Sequence, residues 1–162
     1  MLYDKLMNPK GALTALVLSM LLTGSLSVEA ARKKTVQKIK VACVGNSITY
    51  GTGIQDREHF SYPVQLQNML GDKYLVGNFG KPGATLLNHG HRPYMKQEEY
   101  KQAMAFKGDI AVIHLGINDT DPRNWPNYRD EFVKDYLSLM DSLRSANPKV
   151  RFILACMTPI AH

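Results

Sequence analysis

The stretch "VACVGNSITYGTG", Val41 to Gly53, decides how this chain is read. A short, mostly apolar run enters a turn that carries Gly45, Asn46, Ser47, Gly51 and Gly53. Such a run, closed by a glycine, is the pattern of a buried strand followed by a turn. The turn has three open readings: a phosphate cradle, a presented serine nucleophile, or a loop in which Ser47 only caps the next segment.

Spacing removes the phosphate readings. A P-loop needs Gly, four residues, then Gly-Lys-Ser/Thr, but five residues separate Gly45 from Gly51 and no lysine follows. The dinucleotide fingerprint lacks its second glycine after Gly45. The G-x-S-x-G elbow fails by one position, because "GNSIT" has Thr49 where glycine is required. A serine on the turn after a strand remains, and taken alone it favours a cap.

Working outward, strands and helices alternate. "KIKVACVG" is the first strand, and "SYPVQLQNMLG" is a short helix with Tyr62, Leu66, Met69 and Leu70 on one face. "KYLVGNFG" is a second strand and "YMKQEEYKQAMAF" a second helix. "DIAVIHLG" is a third strand, continuously apolar except for His114, as expected when both faces are covered. "NYRDEFVKDYLSLMDSLRSANP" is the clearest helix, its stripe formed by Tyr128, Phe132, Tyr136, Leu139, Met140 and Leu143. "KVRFILACMTP" is the fourth strand. The alternation predicts an α/β fold with a parallel sheet between helical layers. Right-handed crossovers then bring the strand-to-helix turns to one edge, where ligands bind.

Two further turns share that edge. "NFGKPGAT" places Gly80 after strand two, and "LGINDTDP" places Gly116, Asn118 and Asp119 after strand three. A glycine N–H and an asparagine amide suit stabilisation of an oxyanion formed by serine attack. Each turn alone also reads as ordinary loop chemistry.

Together, "GNSITYG", "NFGKPGAT" and "LGIND" resemble the blocks of the SGNH (GDSL-like) hydrolase family, over Lys38 to Pro159. The resemblance implies a flavodoxin-like three-layer α/β/α fold and ester hydrolysis through an acyl-serine on Ser47. Its oxyanion hole would comprise the Ser47 and Gly80 N–H groups and the Asn118 side chain, with no cofactor and no metal. The wording of the motifs is similar to sialate O-acetylesterase-type carbohydrate esterases, which implies a small-molecule or glycan O-acetyl ester as substrate. A secreted lipase or arylesterase of the same family is the alternative.

The family's late D-x-x-H block, which supplies base and orienting acid, has no counterpart after the fourth strand. Residues 38–162 are therefore expected to be an incomplete hydrolase domain, truncated after that strand. A non-catalytic fragment is the rival reading. The literal Asp56-Arg57-Glu58-His59 falls nine residues after Ser47 and reads as coincidence. Arg92, Arg123 and Trp125 are candidate substrate-binding residues, with packing of the loop as the alternative for Trp125. His114 reads as a satisfied core histidine. His89 and His91 are spaced like a metal pair without a third ligand, and His162 could reach the ligand edge.

The remaining regions set the context. Lys5 and Lys10, the apolar "GALTALVLSMLLTGSLS" and the small residues Val28 and Ala30 give residues 1–30 the layout of a secretory signal peptide. The expected location is periplasmic or extracellular, with no stable membrane insertion after cleavage. Residues 31–37 form a basic leader, and "ARKKTVQKIK", Ala31 to Lys40, carries much of the +6 net charge. No basic face with interleaved aromatics supports nucleic-acid binding. Cys43 and Cys156 both lie in apolar runs and read as packed thiols.

Overall fold

The structure is a computed structural model that describes residues 37–156. The expected signal segment, nearly all of the leader, and His162 lie outside the described residues. Four strands follow the four apolar runs: β1 (Ile39–Gly45), β2 (Tyr74–Gly80), β3 (Ile110–His114) and β4 (Arg151–Leu154). The helices are α1 (Ser47–Tyr50), α2 (Arg57–Phe60), α3 (Tyr62–Leu70), α4 (Glu98–Phe106), α5 (Trp125–Tyr128) and α6 (Phe132–Ala146).

All neighbouring strands pair in parallel, in the order β2-β1-β3-β4. The chain leaves β1 toward one side for β2 and returns to the other side for β3. This reversal opens a crevice beyond the strand ends, the place where open α/β sheets bind ligands. In register, Gly45 faces Gly80 on one side and His114 on the other.

Alternation along each strand divides the two faces. Ala42 and Val44 of β1 join Phe79, Ala111 and Ile113 in a core closed by Ala103 of α4 and Leu139 and Leu143 of α6. Phe132, Tyr136 and Met140 of the expected stripe pack against the same core. Cys43 turns to the opposite face, toward Tyr62 of α3, and burial pushes its thiol up to about 11.

That opposite face is thinner than the sequence suggested. Pro63 alone is fully buried in α3, and Met69 is 77% exposed instead of sharing a buried face. Ile153 of β4, in register with Val112, is 54% exposed on this side. Cys156 is exposed and not packed, because β4 ends at Leu154. The two long helices also begin later than expected. A 3-10 turn at Tyr94–Lys96 precedes α4, and α5 with a 3-10 turn at Arg129–Glu131 precedes α6. Among the described residues, no helix is long and apolar enough to cross a membrane.

Candidate active site

Ser47 is the first residue of α1, directly beyond the end of β1. Asn46 caps that single turn, its buried Oδ1 accepting the Ile48 N–H at 3.0 Å. Gly51 ends the turn in the left-handed region at φ 93°, where a side chain would strain the backbone. The cap is therefore Asn46, and not Ser47 as the alternative reading held. The Ser47 N–H donates to no acceptor among the described residues.

The two glycines at the strand ends have a packing role. A Cβ on Gly45 would lie 2.0 Å from Thr49 Oγ1, and one on Gly80 would lie 2.1 Å from the Tyr50 nitrogen. Only bare α-carbons let β1 and β2 close against α1. The Gly80 N–H is already committed, donating to Asn78 Oδ1 at 3.0 Å. In this geometry the expected oxyanion donor at Gly80 is occupied. Three residues on, the Gly83 N–H has no acceptor among the described residues, and its φ of +75° holds the turn in a glycine-favoring form.

Asn118 lies in the 3-10 turn Ile117–Thr120 after β3. Its Nδ2 donates to the Ala84 carbonyl at 2.8 Å, which sets the amide beside the Gly83 turn. An amide nitrogen carries two protons, so one stays available. The structure thus brings Ser47, Gly83 and Asn118 to neighbouring strand ends on one edge.

Three buried polar side chains hold the loop that follows Gly83. Asp119, fully buried, accepts the Leu86 N–H at 2.9 Å and the Leu87 N–H at 2.7 Å. Burial raises its carboxyl above the ordinary range, while these N–H groups act in the opposite direction. Asp135 of α6 accepts from the Asn88 N–H at 2.7 Å and from Asn88 Nδ2 at 3.0 Å. Asn124 Oδ1 accepts the His91 N–H at 3.0 Å, and its Nδ2 donates to the Asn118 carbonyl at 2.9 Å.

Those last two partners fix the orientation of the Asn124 amide, since a backbone N–H can only donate and a carbonyl can only accept. The contact of 2.9 Å between Asn124 Nδ2 and His91 Nδ1 is then a donation to the ring. Sequence reasoning missed Asp135 and Asn124; the available signal for Asp135 was a charged residue on the core face of an apolar helix.

The other candidates separate clearly. Arg123 is engaged by Asp121 through Nε at 2.9 Å and Nη2 at 2.8 Å, and this pairing holds the Asp121 carboxyl well below the usual range. Trp125 packs edge-on to Phe132 at 5.6 Å and remains 39% exposed. Arg92 is exposed and donates from Nη1 to the Pro82 carbonyl at 3.0 Å. His89 is exposed, bonded to Glu131 at 2.6 Å and stacked near Tyr128.

His59 and Asp56 do pair, at 2.9 and 3.0 Å, but the His59 side chain is 75% exposed and makes no hydrogen bond to Ser47. No group of three or more metal-ligating side chains gathers among the described residues. His114 is nearly buried but faces a cavity instead of the core. Ile48, Tyr62, Val112, His114 and Ala155 line this apolar space of about 260 Å³.

The chain is similar to known proteins. The sequence model of the GDSL-like Lipase/Acylhydrolase family matches residues 43–162. A protein named acetylxylan esterase, from Xylanibacter ruminicola, is 51% identical over 106 residues, covering 65% of this chain and 22% of the relative. The chain thus spans about a fifth of the length of that curated relative. The solved structure of AlinE4, described as an SGNH-hydrolase family esterase, superposes with a TM-score of 0.53 at 20% identity. It covers 73% of this chain and 58% of that one, and shows that the fold is shared.

Proposed function

Because the chain belongs to the GDSL-like Lipase/Acylhydrolase family, we propose that it carries the nucleophile and oxyanion donors of a serine esterase acting on O-acetylated carbohydrate. One observation carries this reading: a serine at a strand-end turn shares its edge with two backbone N–H groups that have no acceptor among the described residues, and with an asparagine amide. Such an arrangement suits an acyl oxyanion better than a phosphate, because the turn offers no lysine and no run of glycine N–H groups.

In the proposed reaction the Ser47 Oγ attacks the acetyl carbonyl carbon and gives its proton to a base. The carbonyl π pair moves onto oxygen. The N–H groups of Ser47 and Gly83 and the free Asn118 amide proton receive that charge. Collapse breaks the bond to the sugar oxygen, which takes the proton from the base and leaves. Water then hydrolyses the acetyl-serine by the same steps. Among the described residues, no histidine or carboxylate hydrogen-bonds Ser47, so none of them is assigned as base.

The name of the Xylanibacter ruminicola relative supports an acetylated polysaccharide as substrate. O-acetylated sialic acid is the narrower expectation from the motif wording. The signal-like N-terminus supports export to the periplasm or the extracellular space. A second reading, an esterase for longer acyl chains, draws on the apolar cavity that includes Ile48, next to the nucleophile.

Acetate release from acetylated xylan and from O-acetyl sialic acid, and p-nitrophenol release from p-nitrophenyl acetate and octanoate, separate these readings. Ser47-dependent release from the acetylated sugars supports the proposal, and the ratio between the two sugars assigns the substrate. A preference for octanoate favors the lipase-like reading. Activity that survives Ser47→Ala removes both, and no turnover on any substrate supports a non-catalytic chain.

A further inference from the structure

The cationic side chains near the ligand edge differ in how they are satisfied. Lys81 is paired with Glu99 at 3.0 Å, and Arg123 is held by Asp121 at 2.8 Å. Arg57 lies over the Tyr50 ring at 4.1 Å and donates to the Tyr50 carbonyl. Arg92 has no carboxylate partner among the described residues, and its one hydrogen bond is to the Pro82 carbonyl.

Arg92 is nonetheless held in place. A Cβ at residue 83 would lie 3.2 Å from Arg92 Nη1 and 3.8 Å from Cζ, so the guanidinium rests against the bare Gly83 α-carbon. The backbone around it is fixed as well. Thr85 N–H donates to the Arg92 carbonyl at 2.9 Å, and Tyr94 N–H returns to the Thr85 carbonyl at 2.8 Å. The neighbouring His91 is anchored by Asn124. Gly83 thus sits between Arg92 on one side and, through Ala84, Asn118 on the other.

We infer that Arg92 is a specificity-determining residue, binding a carboxylate on the sugar that bears the acyl ester or on the sugar next to it. The inference rests on the proposed acyl site at Gly83 and Asn118. Geometry and charge both point to an anion. Among the described residues, four of the five guanidinium protons have no acceptor, in a planar fork that matches a carboxylate, and no carboxylate pairs with the charge beside the point where the ester would dock. A neutral sugar would leave that fork to water. Arg123, which follows the Asn118 turn in sequence, is excluded because Asp121 already fills its fork.

The test is an NMR titration with D-glucuronate and with D-glucose, which differ by the carboxylate. It involves no turnover, so its outcome is independent of whether Ser47 hydrolyses esters; Ser47→Ala should titrate like the wild type. Glucuronate should bind roughly fivefold more tightly than glucose, the scale of an exposed ion pair, and salt should reduce the difference. Arg92→Ala should abolish the preference, Arg92→Lys should keep part of it, and Arg123→Ala should keep it all. Equal binding of the two sugars, absence of glucuronate binding, or a preference that survives Arg92→Ala overturns the inference.

Discussion

Replacing Asp119 tests whether the loop beside the site is held as described. In Asp119→Ala, the Leu86 and Leu87 N–H groups lose acceptors at 2.9 and 2.7 Å in a site with no solvent access. Each buried donor left unpaired costs about 1–3 kcal/mol, so the pair costs on the order of 2–6 kcal/mol. Asp119→Asn keeps one acceptor oxygen and turns an NH2 toward the other donor, so roughly half that loss is expected. Burial, the dominant effect, places the folded carboxyl above its ordinary range. A folded value above the unfolded one means that this group's titration favors the fold at low pH. Its contribution declines as the pH rises through the folded value. The stability lead of wild type over Asp119→Asn should therefore narrow across that interval. Urea denaturation gives the free energies, and hydrogen exchange at Leu86 and Leu87 locates the loss. An Asp119→Ala protein within about 0.5 kcal/mol of wild type, or unchanged exchange at both amides, refutes the reasoning.

Other substitutions separate catalysis from packing. Asn118→Ala should lower kcat roughly a hundredfold to a thousandfold while changing KM little; an unchanged kcat in steady-state hydrolysis removes Asn118 from the oxyanion role. Gly80→Ala drives a methyl into the Tyr50 backbone nitrogen and should cost about 1–3 kcal/mol in a denaturation curve. A silent Gly80→Ala would show that the strand end has room to move. The hydrogen bond to Asp56 raises the His59 pKa. Its charged pair is therefore complete below the unfolded value and lost as the pH rises through the raised one. An NMR titration should show that raised value, with Asp56→Asn returning His59 toward an ordinary histidine.

What the sequence revealed followed from local pattern. The four strands were legible as short, mostly apolar runs, and Gly45 and Gly80 marked the ends of the first two. The placement of Ser47 and Asn118 just after strand ends was legible because short polar motifs followed those runs. The clamp on the neighbouring loop was not. Asp119, Asn124 and Asp135 satisfy backbone groups more than thirty positions away, and no local signal names such a partner. Gly80 was ambiguous for a related reason. A glycine needed for strand contact and one needed for a free N–H look alike until Asn78 is seen to occupy the first. The exposed Met69 shows the same limit, since periodicity gives a face but not whether anything covers it.

The central claim is that Ser47 is an acyl-transfer nucleophile. Incubation with a fluorophosphonate, followed by peptide mass spectrometry, reads this directly. The account predicts a phosphonyl adduct on the peptide carrying Ser47, absent in Ser47→Ala and reduced in Asn118→Ala. An unlabelled Ser47, or an adduct that persists in Ser47→Ala, contradicts it.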